Sequence, residues 1–292
     1  MDKISLVKNI ILYGSIAGAI FTIILYMIYF DAIIATTKLI PDSWIIILII
    51  SIRMVLLAGM SFYMFRRWLS QESQYFSDIP FLFAFFFLMV MFGKAFDLLY
   101  NLTYYTTDEA TFLFLIKIRF IIAIMSLAPL YYLSIWMILF YISLDGKYER
   151  LISENYRNKL TYRLMSLILT IEFIIIMLYL NVKTTAIILP AIVLPSLVII
   201  FLIFYFSYRN KRLTQVNTLL LTIGFGAYLA SQILRPLLHI IFSESVMYSF
   251  SAELVDLIIF GIIFIGLIQK HLAALIKEKK LKNREKELII SQ

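Results

Sequence analysis

Cysteine is absent from the 292-residue chain, which excludes disulfides, thiolate metal centres and thiol nucleophiles. Only two histidines occur, His239 and His271, too few for the histidine boxes of a membrane diiron hydroxylase or desaturase. Charge is scarce as well: 15% of residues are Asp, Glu, Lys or Arg, against 62% apolar or aromatic. A soluble domain carries about 25% charged residues and needs a polar skin. A mean hydropathy of +0.93 therefore requires that much of the surface face lipid. Enzyme signatures are missing too. There is no His-Glu-x-x-His, no Gly-x-Ser-x-Gly, and Gly224-Phe-Gly226 is followed by Ala227 rather than an acid. No lysine lies between Phe250 and Gln269, which argues against a retinal Schiff base in the last apolar run. His239 and Glu244 have the His-x4-acid spacing of some acyltransferases, but Glu stands where Asp is required. No catalytic residue, metal site or cofactor is expected.

What the chain does have is eight apolar runs, at about 10–34, 44–65, 79–102, 110–143, 163–182, 184–208, 215–243 and 250–269. Each is long enough to cross a hydrocarbon core of ~30 Å. The first is too long for a signal peptide and lacks a cleavage site, so it reads as a retained helix. The fifth and sixth are joined only by Asn181-Val182-Lys183-Thr184, which suits either a tight hairpin or one long segment dipping in from one side. The longest polar stretch, at about 145–163, is too short for a separate globular unit.

The basic residues test this division. The N-terminus, the second, fourth and sixth connections and the tail hold 19 Lys and Arg, whereas the alternate connections hold only Lys38 and Lys183. Positive-inside bias then predicts an all-α, polytopic integral membrane bundle of eight transmembrane helices, N-in and C-in, in the cell membrane. Residues 1–270 form the membrane domain, and 271–292 a basic cytoplasmic helical tail. In a soluble protein the net charge of +8 would suggest nucleic acid; here it is sorted to one side, and no nucleic-acid partner is expected. The expected partners are membrane lipids. The tail is open to three uses: a solvated or lipid-bound end, a stalk contacting a cytoplasmic signalling partner, or a homodimer contact.

Charge inside the runs carries the functional information. Arg53 lies in the second, Lys94 and Asp97 in the third, Lys117 and Arg119 in the fourth, Glu172 in the fifth, Arg235 and His239 in the seventh, and Glu253 and Asp256 in the eighth. Each costs roughly 2.5–3.5 kcal/mol at the bilayer centre and therefore faces the bundle interior and is paired. The expected directions bring all but Glu172 to the outer half. Lys94 and Asp97 are i, i+3 and share a face; Lys117 and Arg119 are i, i+2 and point apart, so one of them snorkels at the rim. Arg235 and Asp256 fall at matching depth on consecutive helices, with His239 nearer Glu253. Losing Arg235 is expected to strand a carboxylate, at about 3–5 kcal/mol. The ten residues form either a set of packing ion pairs or a polar cavity that binds an anionic or zwitterionic small molecule or lipid headgroup. Glu172 is also open to a proton path.

Around the fourth run, Lys117-Ile-Arg119-Phe120, the mid-helix Pro129, Phe140-Tyr141 and the loop beginning Asp145-Gly146 resemble the seven-transmembrane N-terminal sensor region of prokaryotic histidine kinases. The resemblance covers about residues 44–270. It implies seven spans running N-out to C-in and a signalling stalk after Lys270. It also leaves an extra first span and no output domain before Gln292, which implies an input module working through a partner. The expected function is a multi-pass, receptor-like or sensory module that binds its ligand from the outer side and signals through its last helix. The alternative is a secondary transporter using the buried charges as a substrate or proton site, with a lipid-modifying enzyme third.

Overall fold

The structure, a computed structural model, describes residues 3–40, 42–144, 148–178, 182–211, 213, 215–242 and 246–290. For 3–8, 10–11, 182–192, 236–242 and 272–290 the description is of the backbone alone. Every regular element among the described residues is an α-helix. They are α1 Lys3–Ile28, α2 Phe30–Leu39, α3 Ser43–Leu69, α4 Ile79–Thr103, α5 Glu109–Leu144, α6 Glu149–Ile152, α7 Glu154–Leu178, α8 Val182–Arg209, α9 Thr218–Phe242 and α10 Val246–Ile290. An apolar chain without water must satisfy its peptide groups internally, and the helix does so within each run.

Six helices are long and apolar enough to cross a membrane: α3, α4, α5, α7, α9 and the Val246–His271 part of α10. They fit a membrane-embedded protein. The expected first span over 10–34 is not one continuous helix. The chain bends by 63° between α1 and α2, and the two together make at most one further span. No Gly or Pro lies at the bend; tertiary hydrogen bonds accompany it instead. Tyr26 donates to the Ala95 carbonyl at 2.8 Å, and Thr106 donates to the Ala32 carbonyl at 3.1 Å. These bonds draw α1 along α4 and fold α2 over its end. In α8, the apolar helix with described side chains is Val193–Arg209, shorter than a span.

The packing closes a ring. α3 lies against α4, α4 against α5, α5 against α8, α8 against α9, α9 against α10, and α10 back against α3. α7 packs outside on α5, while α1 and α2 pack outside on α4. One end of the ring is filled by phenylalanine: Phe83, Phe86, Phe87, Phe204, Phe225 and Phe260 are all buried in one cluster. Phe204 and Phe225 stack at 5.0 Å between centroids. Part of the chain's abundant aromatic content thus forms the core of the ring. Below them α9 and α10 touch closely. The Asn217 amide donates to the Gly266 carbonyl at 2.8 Å, and a Cβ on Gly224 would meet the Ile263 side chain at 2.5 Å. Arg67 of α3 donates to the Leu267 carbonyl at 3.0 Å, so α3, α9 and α10 are joined at this end. Arg157, counted with the loop cations in the sequence, is buried and donates to the Leu151 and Ile152 carbonyls at the end of α6 at 2.8 and 3.0 Å.

Candidate functional site

The opposite half of the ring holds the charged residues. Their helices bring them together by period: Glu253, Asp256 and Phe260 recur at i, i+3 and i+7 on α10, and Tyr228, Ser231 and Arg235 at i, i+3 and i+7 on α9. Seven side chains from five helices form one alternating chain. Arg119 pairs with Asp97. Asp97 pairs with Lys94 at 2.8 Å, and Lys94 reaches Glu253 at 2.7 Å. Arg53 pairs with Glu253 and, at 2.9 Å, with Asp256. Asp256 pairs with Arg235 at 2.5 Å. Reading from Arg119 to Arg235, cation and anion alternate and cations occupy both ends. Four cations face three carboxylates, which leaves one positive charge uncompensated within the network.

Burial grades along this chain. Arg53 and Asp256 at its centre expose 1% and 2% of their side chains, while the terminal Arg119 and Arg235 expose 29% and 26%. The centre is tied down further. The Arg53 guanidinium lies over the Phe260 ring at 5.1 Å, and Ser231 donates to Asp256 at 3.1 Å. The ends are packed more loosely, while spare donors occur at the centre and at one end alike. The Nε atoms of Arg53 and Arg235 each have no partner among the described residues, and the Arg119 guanidinium rests over the Tyr100 ring at 5.2 Å.

A cavity of about 130 Å³ opens beside this chain, lined by Arg53, Lys94, Asp97, Arg119, Arg235 and Asp256 together with Tyr228 and Gln232. Arg119 also lines a cavity of about 380 Å³ nearer the helix ends, with Tyr100, Tyr104, Tyr105 and Tyr248. Arg235 lines another of about 120 Å³ that shares Tyr248 and Ser249 with it. The two terminal arginines therefore stand between the charged interior and a tyrosine-rich mouth. Among the described residues no cluster of His, Asp or Glu is arranged to hold a metal ion.

Not every expected member joins. The Arg235–Asp256 and Lys94–Asp97 contacts are present as the spacing suggests. Lys117 points away, as the i, i+2 spacing requires of one of the pair, and donates to the Met177 carbonyl at 3.2 Å. There it meets the negative end of the α7 dipole. Glu172 is buried elsewhere, between α5, α7 and α8. It accepts from Tyr131 at 2.7 Å; the Tyr131 hydroxyl also bonds Ser196 at 2.7 Å, and the second carboxyl oxygen is unpartnered among the described residues. The His239 side chain, expected near Glu253, lies outside the described residues; Glu253 is held by Lys94 and Arg53. Sequence reasoning missed the bridging role of Arg53, since depth along a helix does not reveal which neighbour is adjacent. It missed Ser231 as well, for which the available signal is its place one turn before Arg235 on the same face.

The chain matches no family model, and neither a curated protein nor a solved structure matches it.

Proposed function

We propose that the chain is an eight-span protein of the cell membrane, N-in and C-in, acting as a receptor-like or sensory module. It takes a small molecule or lipid headgroup from the outer side and signals through its last helix to a cytoplasmic partner. The observation that carries this reading is the placement of two of the three network carboxylates, Glu253 and Asp256, on α10. They accept from Lys94, Arg53 and Arg235, hence from α3, α4 and α9. The same helix continues unbroken to Ile290. A ligand that redistributes these pairs acts directly on a rod that leaves the membrane. The alternation of 19 against 2 basic residues supports the topology. The likeness of residues 44–270 to histidine-kinase sensor regions supports the sensory role.

A secondary transporter is the second reading, and Glu172 favours it: a carboxyl group within the bundle with one oxygen unpartnered among the described residues is a natural proton site. Native mass spectrometry of the protein released from nanodiscs identifies the molecule carried with it. Proteoliposomes loaded with that molecule should then retain it. A fluorophore at Lys282→Cys should change emission when it is added. Flux down a gradient with a silent fluorophore would replace the receptor by the transporter.

A further inference from the structure

We infer that the cavity beside the charged chain is an oxyanion site in which Arg119 and Arg235 grip one monoanionic group, a carboxylate or a phosphate ester, whose apolar stem lies in the tyrosine-lined mouth. The inference rests on the ligand-binding reading of this cavity and names its ligand class. Three independent features carry it.

The first is charge. Four cations and three carboxylates leave a single positive charge within the network, at ends that are only 29% and 26% exposed. Burying an uncompensated cation is unfavourable, so a single negative charge completes the site, whereas a cation would double the imbalance. The second is position. The interior cations Arg53 and Lys94 each bridge two carboxylates, while Arg119 and Arg235 hold one each and share it with another cation. The free charge therefore sits at the two ends, both of which line the 130 Å³ cavity. Arg53 and Arg235 each retain an Nε–H with no partner among the described residues, but Arg235 is 26% exposed against 1% for Arg53, and its guanidinium fork suits a two-oxygen anion. The third is size. An apolar cavity of about 150 Å³ takes up benzene, so 130 Å³ admits a headgroup of about six heavy atoms. Each arginine also borders an outer cavity, of about 380 and 120 Å³, which gives the remainder of the ligand an exit lined by Tyr100, Tyr104, Tyr105 and Tyr248.

The two arginines can be removed without stranding an acid, because Asp97 keeps Lys94 and Asp256 keeps Arg53. The test uses the full chain in phosphatidylcholine nanodiscs at about pH 5.5, where hexyl phosphate and inorganic phosphate are chiefly monoanions, with binding followed by microscale thermophoresis. Its probes are hexyl phosphate, hexanoate, hexanol, hexyltrimethylammonium and inorganic phosphate. Hexyl phosphate and hexanoate should bind, and hexanol and hexyltrimethylammonium should not. Arg119→Gln or Arg235→Gln should weaken anion binding about tenfold or more, as loss of a charge-assisted bond implies. The double variant, whose network carries one net negative charge, should prefer hexyltrimethylammonium. A structural role alone would not reverse that preference. Competition from phosphatidylglycerol added to the nanodisc assigns the anion to a lipid headgroup. Binding of hexyl phosphate or of inorganic phosphate that phosphatidylglycerol leaves unchanged assigns it to a free solute, and either supports the inference. Preference of the unaltered protein for the cation or the alcohol, binding indifferent to both arginines, or no binding at all overturns it. The fluorophore on the tail is scored separately. Anion binding with a silent tail removes the receptor reading and leaves the oxyanion site standing.

Discussion

At the residue scale, the worth of each charge depends on how many partners remain when it is lost. Arg53 is 1% exposed and, among the described residues, is the only ion-pair partner shared by Glu253 and Asp256. Arg53→Gln leaves Glu253 to Lys94 and Asp256 to Arg235, but it removes two buried charge-assisted bonds at the centre of the chain and should destabilise by about 3–5 kcal/mol. Arg235→Gln should cost below about 2 kcal/mol, because Arg53 still compensates Asp256. That is a smaller cost than a simple two-member lock would give, because Asp256 has a second partner. Chemical unfolding of both variants in detergent measures the order, and equal losses would show that Arg53 is not the hub. The ten charged positions were legible because ionisable residues stand out in apolar runs. Which of them meet was only partly so: i, i+3 spacing decides a face, and loop connectivity decides one neighbour. The pairing of Arg53 with α10, 200 residues later in the chain, follows from ring closure, which no local pattern carries. Glu172 obeys different chemistry. Glu172→Gln keeps an acceptor for Tyr131 and should stay within about 1 kcal/mol of the unaltered protein, whereas Tyr131→Phe strands the buried carboxyl group and should cost about 1–3 kcal/mol. Thermal unfolding distinguishes the two, and the reverse order would contradict the hydrogen-bond assignment.

At the scale of the element, α10 joins the two ends of the ring. Its carboxylates serve the charged chain, and Gly266 and Leu267 accept from Asn217 and Arg67 about 20 Å further along at 1.5 Å per residue. The close approach of α9 and α10 makes this lower contact sensitive to a single methyl. Gly224→Ala would place Cβ 2.5 Å from the Ile263 side chain and 3.3 Å from its backbone nitrogen, so the helices must separate. The expected cost is about 1–3 kcal/mol, with faster hydrogen exchange in the 263–271 segment. Unchanged exchange there would mean that α9 does not hold α10. The existence of most helices was readable from run length, because lipid leaves few alternatives. The bend between α1 and α2 was not, since the hydrogen bonds accompanying it come from Ala95 and Thr106 on a distant part of the chain.

At the scale of the molecule, the ring separates a charged, cavity-bearing half from an aromatic, closely packed half. Composition made the membrane setting plain, while the closed ring and its interior cavity needed the packing of all six helices. The central claim is that this cavity opens to the outer side. Because the chain lacks cysteine, one substitution reports without background. Ala123 lines the 130 Å³ cavity, whereas Asn217 lies at the opposite end against Gly266 and Gln269. A small, anionic, membrane-impermeant thiol reagent added to intact cells should label Ala123→Cys and spare Asn217→Cys. Hexyl phosphate should slow the first reaction. Labelling of Asn217→Cys from outside, with Ala123→Cys untouched until the membrane is opened, would contradict both the orientation and the outward-facing site.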